Sequence, residues 1–434
     1  MRTDKLQRPY MPALGAAWDS GLTWPEASIA ILLVMAAKLT PVLVTGLDLC
    51  LVILASAAMV TSSRPLPQKL FMVVIPFLLI CLSGMLVGID ADRYSYAKDI
   101  WYVTNPALTM CAGFVLYRAS PEAGRGLRAF VIGGTVLGIF AIVPFIHQPA
   151  LLMLRANDIR QELGTGDYAP VLALTVLFSC RNDFKNMLGI PRWAARVCML
   201  ICLSGMVLSF SRTIVIVGFI GLLAAVGVFA RRAWLKVLIA LVLSIIVIAS
   251  LRLSVDVNSS DVKSTFIGKL ARSFDEITVH EYFGERDRNE NWRGYETARV
   301  LHEYSAFEPW RWIVGRGFGA QLDLRLWMPL GENGAPMRYV PIMHNGYMYL
   351  LFKGGAFSVS MFLVSLWTLL AIGRGSTSAN EPTTLICARL MQGIAISLLF
   401  TTWVIAGAFN KVDMYPYLLS AGYLCGYLTA RSAQ

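Results

Sequence analysis

Runs of about 20 apolar residues, each long enough to cross a hydrocarbon layer about 30 Å thick as a helix, recur along this chain from residue 27 to residue 430. A soluble core offers no place for so many. With 56% hydrophobic and 15% charged residues, the chain is also more apolar than a soluble protein. The runs predict about twelve transmembrane spans, at 27–43, 44–62, 70–89, 99–117, 129–146, 168–180, 194–210, 212–230, 234–251, 355–373, 384–406 and 413–430. The expected class is an all-α polytopic membrane protein. No short cleavable signal precedes the first run, which is expected to stay attached as an anchor.

The net charge of +11 is a matter of sidedness. With the N-terminus inside, Arg2, Lys5, Arg8, Arg64, Lys69, Arg118, Arg125, Arg128, Arg181, Lys185, Arg192, Arg196, Arg231, Arg232, Lys236, Arg374 and Arg431 all fall on the inner side, in the two terminal segments and short inner loops. That asymmetry fits the positive-inside rule and places both termini in the cytoplasm. It also removes nucleic acid as a partner, since the basic residues face lipid head groups in small separated groups. Residues 252–354 carry nearly balanced charge and land outside. The expected organisation is a first bundle of about nine helices over 1–251, a mainly helical outer loop or lid over 252–354, and C-terminal spans over 355–434.

The eight cysteines lie in or beside apolar runs, which predicts no disulfide framework. Lys38 and Asp48, inside the first two runs, read as a pair, or Lys38 as a residue near the outer interface. Trp101, Tyr102, Trp310, Trp312, Trp327, Tyr347 and Tyr349 read mostly as interface anchors.

Ionisable groups at membrane depth are costly and usually have a task, and three outward-facing places collect them. One is QPALLMLRANDIRQELGTGDYAP, with Arg155 and Arg160. A second is SFSRTIV, where Ser209, Ser211 and Arg212 interrupt two nearly continuous apolar runs. The third is the large loop, with NWRGYETARVLHEYSAFEPW, VGRGFGAQ and MHNGYMYLLFKGGAFSV. Helical spacing puts Trp292, Tyr295 and Arg299 on one stripe and Arg293, Glu296 and Val300 on another, so Glu296 is in reach of Arg293. His344 opens a helix-like run shared with Tyr347 and Leu351, and Gly354 and Gly355 precede the next span. Gly315, Gly317 and Gly319 read as a tight turn rather than a phosphate cradle, because no Lys-Ser or Lys-Thr follows.

The SR dipeptide, the Trp-Arg helix followed by G-x-G-x-G, and the His-Asn opening, in this order around one late loop, resemble the O-antigen ligase and O-antigen polymerase superfamily of bacterial envelope glycosyltransferases. The chain departs at Lys353-Gly354, where members often carry an acid and then Gly. It also departs at Tyr168-Ala169-Pro170, where an Asn is frequent. The resemblance implies an inner-membrane enzyme whose large loop is periplasmic. It would move a glycan from undecaprenyl diphosphate to a sugar hydroxyl, on another glycan or on lipid A core.

That reaction needs fixed positive charge where the diphosphate departs and a base for the acceptor proton. Arginine forks suit the first task. Arg212 and Arg293, with His344 as general base, are the expected catalytic residues; Arg155, Arg160, Glu296, Asn345 and Tyr347 are the expected substrate contacts, Glu296 orienting the histidine or bracing an arginine. The scheme calls for no metal and no cofactor. A transporter of lipid-linked glycans is the rival reading, weakened by the gathering of charge at the outer edge rather than at mid-membrane and by the lack of repeated interrupted helices.

Overall fold

The computed structural model describes residues 23–38, 43, 45–50, 53, 68–89, 91–153, 159, 167–230, 288, 291–329, 336–377, 381–409 and 412–432. These residues are predominantly helical: α1 Trp24–Lys38, α2 Gln68–Val87, α3 Arg93–Ala119, α4 Ala123–His147, α5 Ala169–Ser179, α6 Phe184–Leu188, α7 Arg192–Leu208 and α8 Arg212–Ala225. After them come α9 Trp292–Ser305, α10 Pro309–Val314, α11 Gly346–Gly375, α12 Pro382–Ile405 and α13 Tyr415–Ser432. Among the described residues, four helices (α2, α4, α11 and α12) are long and apolar enough to cross a membrane. The expected span 234–251 and most of 44–62 lie outside the described residues.

The outward surface is apolar as well as the core, which a helix surrounded by water would not tolerate. On α2, Val73, Phe77 and Ile80 are buried while Phe71, Ile75, Leu78, Leu82 and Leu86 are exposed. Lipid is the medium such a face requires. Inside the bundle, with little hydrophobic drive between helices in lipid, close packing falls to small residues. A Cβ on Gly113 would lie 2.0 Å from the Leu419 carbonyl oxygen and one on Gly422 would lie 1.8 Å from that of Met110, so α3 and α13 touch backbone to backbone.

Two buried ion pairs join distant helices. Arg128 of α4 donates through Nε and Nη2 to Oε1 of Glu26 on α1, at 3.1 and 2.6 Å. Asp99 of α3 receives Nζ of Lys353 and, at 2.8 Å, the hydroxyl of Tyr349, both from α11. Both side chains of the Asp99–Lys353 pair are 1% exposed. Tyr349 is therefore a core residue and not the interface anchor expected from its sequence position.

Lys38 and Asp48 are not a pair. Lys38, at the half-exposed end of α1, lies 3.5 Å from Asp167, whereas Asp48 is buried and accepts from Tyr415 at 2.7 Å and Thr109 at 2.9 Å.

The described part of residues 252–354 is not helical throughout. Between α10 and α11 the chain forms an antiparallel hairpin of β1 Leu322–Pro329 and β2 Pro336–Val340. Strand alternation explains it: Leu322 and Leu324 turn into the core while Asp323 and Arg325 stay polar-side, a period that no helix face accommodates. The register is Leu322 opposite Val340 and Asp323 opposite Tyr339 at one end, and Met328 opposite Met337 at the other, with an irregularity between.

α11 is two helical pieces. Gly355 has φ 65° and ψ −168°, a backbone conformation that glycine alone adopts readily. The ring centroids of Tyr347 and Phe362 are 5.9 Å apart, though a straight helix would separate them by about 22 Å along its axis. The piece before Gly355 therefore folds back along the piece after it.

A helix broken in this way leaves carbonyls without partners, and the Gly-rich loop supplies them. Arg316 N donates to Phe352 O at 2.9 Å and Gly317 N to Lys353 O at 2.8 Å. Phe318 N reaches Gly84 O at 2.9 Å, and Gly319 N reaches Asp99 Oδ2 at 2.7 Å. A Cβ at Gly317 would come within 2.3 Å of Gly88 N, and one at Gly355 within 2.2 Å of Ile313 O. The glycines permit a wedge between the end of α2 and the break in α11, and the loop amides are spent on the fold instead of a phosphate.

Lys353→Met alone would leave a carboxylate buried without its cation, which costs about 3–5 kcal/mol. It is expected to lower the midpoint of thermal unfolding in detergent sharply. The double variant Asp99→Leu with Lys353→Met should recover most of that loss.

Candidate functional site

The site begins with α9. Its Glu296 is buried, at 2% exposure, and its carboxylate meets the chain just ahead of α11. Glu296 Oε2 accepts the His344 backbone N–H at 2.7 Å and lies 3.2 Å from His344 Nδ1. Two contacts from one carboxylate fix both the backbone and the ring of the histidine. The His344 side chain is 52% exposed, so the ring edge away from Glu296 is open. Of the two tasks expected for Glu296, holding the histidine is the one these contacts perform. Arg293 sits in the first turn of α9, one turn from Glu296, and is half-buried.

α9 is itself braced from the hairpin. Arg299 donates through Nε and Nη2 to the Asp323 carbonyl at 3.1 and 3.0 Å, and Tyr295 gives its hydroxyl to Leu324 O at 2.6 Å. Burial pushes the Tyr295 phenol up, which keeps it the donor in that bond. Glu303 joins Arg299 at 3.4 Å, Arg316 at 3.0 Å and the Asp323 amide at 3.2 Å. Asp323 in turn is gripped by the Arg338 fork, Nε and Nη2 each at 2.8 Å.

The residues after His344 are engaged by the fold. Asn345 caps α11, its side-chain oxygen accepting from Tyr347 N at 3.0 Å and Met348 N at 3.3 Å, the usual service of Asn at a helix start. Tyr347 donates its hydroxyl to Leu399 O on α12 at 3.0 Å, and its ring packs on Phe362 and Trp403. Both residues were expected to contact substrate, and in the structure their named atoms orient the backbone that carries His344.

Arg212 opens α8 after a tight link. Phe210 has φ 46°, Ser209 Oγ donates to Met206 O at 2.6 Å, and Ser211 N donates back to Ser209 Oγ at 3.3 Å. α8 and α12 run antiparallel. Arg389 Nη1 reaches Ala225 O at 3.2 Å, and a Cβ on Gly393 would lie 2.7 Å from Ala224 Cβ and 4.0 Å from Gly221 Cα. Extending that register to the start of α8 sets Arg212 level with Thr402. Thr402 is also the residue that a Cβ on Gly346 would strike, at 2.7 Å, two positions after His344. Arg212 and His344 thus belong to one end of the bundle.

Arg155 and Arg160 lie outside the described residues, as do residues 231–287. Among the described residues, no group of three His, Cys, Asp or Glu side chains is placed to hold a metal ion. Sequence reasoning overlooked Asp99 as a site-shaping residue. Its signal was an acid inside the apolar run 99–117, matched by the lone lysine of LLFKGGAF.

The Arg338 fork beside Asp323 holds its carboxyl well below the usual carboxylate range. A depressed acid lends stability above its unfolded pKa, about 3.9, and loses it only as pH falls through its lower folded value. Strand pairing of β1 with β2 should accordingly persist from pH 7 to about pH 4 and weaken below, while Asp323→Asn weakens it throughout. Hydrogen exchange of the β1 and β2 amides measures both.

No family model and no curated protein sequence matches this chain.

Proposed function

We propose that the protein is a membrane-embedded glycosyltransferase that moves a glycan from undecaprenyl diphosphate to a sugar hydroxyl on the periplasmic face of the bacterial inner membrane. The observation that carries the reading is the Glu296–His344 pair, a buried carboxylate fixing the Nδ1 side of a half-exposed imidazole, at the same end of the bundle as Arg212.

A carboxylate on Nδ1 favours the tautomer whose Nε2 lone pair is free to take a proton. His344 is the general base that removes the acceptor hydroxyl proton as its oxygen attacks the anomeric carbon. The bond from that carbon to the diphosphate oxygen breaks, and the lipid diphosphate leaves with the electron pair. Arg212, from α8, and Arg293, from α9, supply fixed positive charge for the departing diphosphate. Arg155 and Arg160 are further candidates to hold it, and the arginines do this work without a divalent cation. The acceptor is the end of another lipid-linked glycan or lipid A core, for a polymerase or a ligase respectively.

Charge asymmetry supports the orientation. Arg118, Arg125, Arg192, Arg374 and Arg431 belong to the bundle end opposite His344, where Tyr423 gives its hydroxyl to Ser120 O at 2.9 Å and Arg431 meets Glu381 at 3.3 Å. A positive end faces the cytoplasm, so the His344 end faces the periplasm. A transporter of the same lipid-linked glycans would draw its ionisable groups to a path at mid-membrane. Asp48, Asp99 and Lys353 are inside the bundle but are closed off by partners from the fold.

Purified protein in lipid, given undecaprenyl-diphosphate glycan and acceptor, is expected to yield longer or ligated product. His344→Ala should lower the rate by about 10²-fold or more, the usual worth of a general base, and Arg212→Ala should do likewise. Glu296→Gln, which keeps the shape but loses the charge, should fall between these variants and the wild type. Wild-type rates in both His344→Ala and Arg212→Ala would end this mechanism.

A further inference from the structure

α11 and α12 enclose a groove of about 370 Å³ lined by Leu363, Leu366, Trp367, Leu370, Ile396 and Leu399, together with Val364 and Ala395. Its floor is buried, with Leu366 at 5% and Ala395 at 3% exposure, and its rim of Leu363, Trp367 and Leu399 is open to the outside of the bundle. Every one of these side chains is apolar, so the ligand class is a hydrocarbon chain held without directional bonds.

The fold-back at Gly355 puts the upper end of this groove beside the candidate site. Leu399, a wall residue, accepts the Tyr347 hydroxyl at 3.0 Å, three positions from His344. The Tyr347 ring rests on Phe362, the residue before Leu363, and on Trp403, one turn beyond Leu399. From there Leu363 to Leu370 carry the groove about 10 Å farther along α11, away from His344.

We infer that this groove seats the isoprenoid chain of the lipid diphosphate donor, the part of the substrate nearest the diphosphate. The inference rests on the proposed glycosyl transfer, because continuity with the His344 site selects the donor's own chain over any bulk lipid. A carrier whose diphosphate meets Arg212 and His344 must leave the site sideways into the membrane. The Leu363–Leu399 rim offers that exit at the right end, and its concave floor orders the first stretch of chain before it enters free lipid.

The test uses reconstituted full-length protein with Leu363→Trp and Ile396→Trp, which fill the groove from each wall. Leu78→Trp on the exposed face of α2 controls for bulk inside lipid. Each is assayed with the same glycan on undecaprenyl diphosphate and on a short, detergent-soluble prenyl diphosphate. Both groove variants are expected to raise KM for the long-chain donor about tenfold, leaving kcat and the short-chain KM unchanged, with Leu78→Trp at wild-type values. Unaltered long-chain KM in both groove variants, or an equal rise for the two donors, would overturn the assignment.

In parallel, a long-chain prenyl diphosphate bearing a photoreactive group near its first isoprene units should crosslink within 363–370 or 395–399 in the wild type and not in Leu363→Trp. Labelling spread evenly over the lipid-facing helices overturns the groove. A wild type that transfers no glycan from either donor overturns the proposed function, and the crosslink still decides the groove.

Discussion

The bonds made by one buried carboxylate organise the part of the molecule on which the site stands. Asp99 takes Lys353 and Gly319 N on one oxygen and Tyr349 on the other, so a single side chain of α3 fixes both parts of the folded-back α11: the helix that returns and the loop that caps its break. An isolated charge at this depth would cost several kcal/mol. The pair is tolerable because both ions are enclosed together and the remaining acceptor capacity of the carboxylate is used by a hydroxyl and an amide. The pair's value is positional more than energetic, since two apolar residues would fill the space as cheaply but would not specify where the break in α11 lies.

From that point the geometry of the site follows in steps. With Gly355 broken and its open carbonyls taken by Arg316 N and Gly317 N, the chain before it must lie along α12, and Tyr347 ties it there. His344 then stands at the end of the returning piece, where Glu296 reaches its backbone and ring together. α9 presents Glu296 while Arg299 and Tyr295 hold it to β1. Each link is a hydrogen bond to a backbone atom or to a buried charge, so the imidazole is held by rigid parts, the support that the proposed general base needs.

How much of this was legible in the sequence varied with the range of the interaction. The four helices long and apolar enough to cross a membrane, α2, α4, α11 and α12, each fall on an apolar run legible in the sequence, because the length and apolarity of a span are local properties of about 20 residues. Arg212, Arg293, Glu296 and His344 stand out in the sequence as polar groups interrupting or adjoining such runs, while the approach of Glu296 to His344, 48 residues away, has no local signal. The break at Gly355 was not readable, since a glycine pair before an apolar run looks the same whether the chain enters a span or doubles back. Asp99 and Lys353 are 254 residues apart, and nothing local to either residue names the other as its partner. The hairpin was missed because Leu322, Leu324 and Met328 make too short an alternation to distinguish from a polar loop.

The two acid–base pairs near the break differ in a way that separates architecture from chemistry. Asp99 and Lys353 are each 1% exposed, and nothing from outside can reach the proton between them. Glu296 is as deeply buried, at 2%, but its partner His344 is 52% exposed. A pair closed on both sides can only hold the fold. A pair buried on the acid side and open on the base side fixes the ring from behind while leaving its far nitrogen free to meet a hydroxyl, and the apolar groove that starts at Leu399 lies within the same few residues. Polar capacity left open at the border of an apolar groove is what the proposed reaction between two membrane-anchored glycans would require.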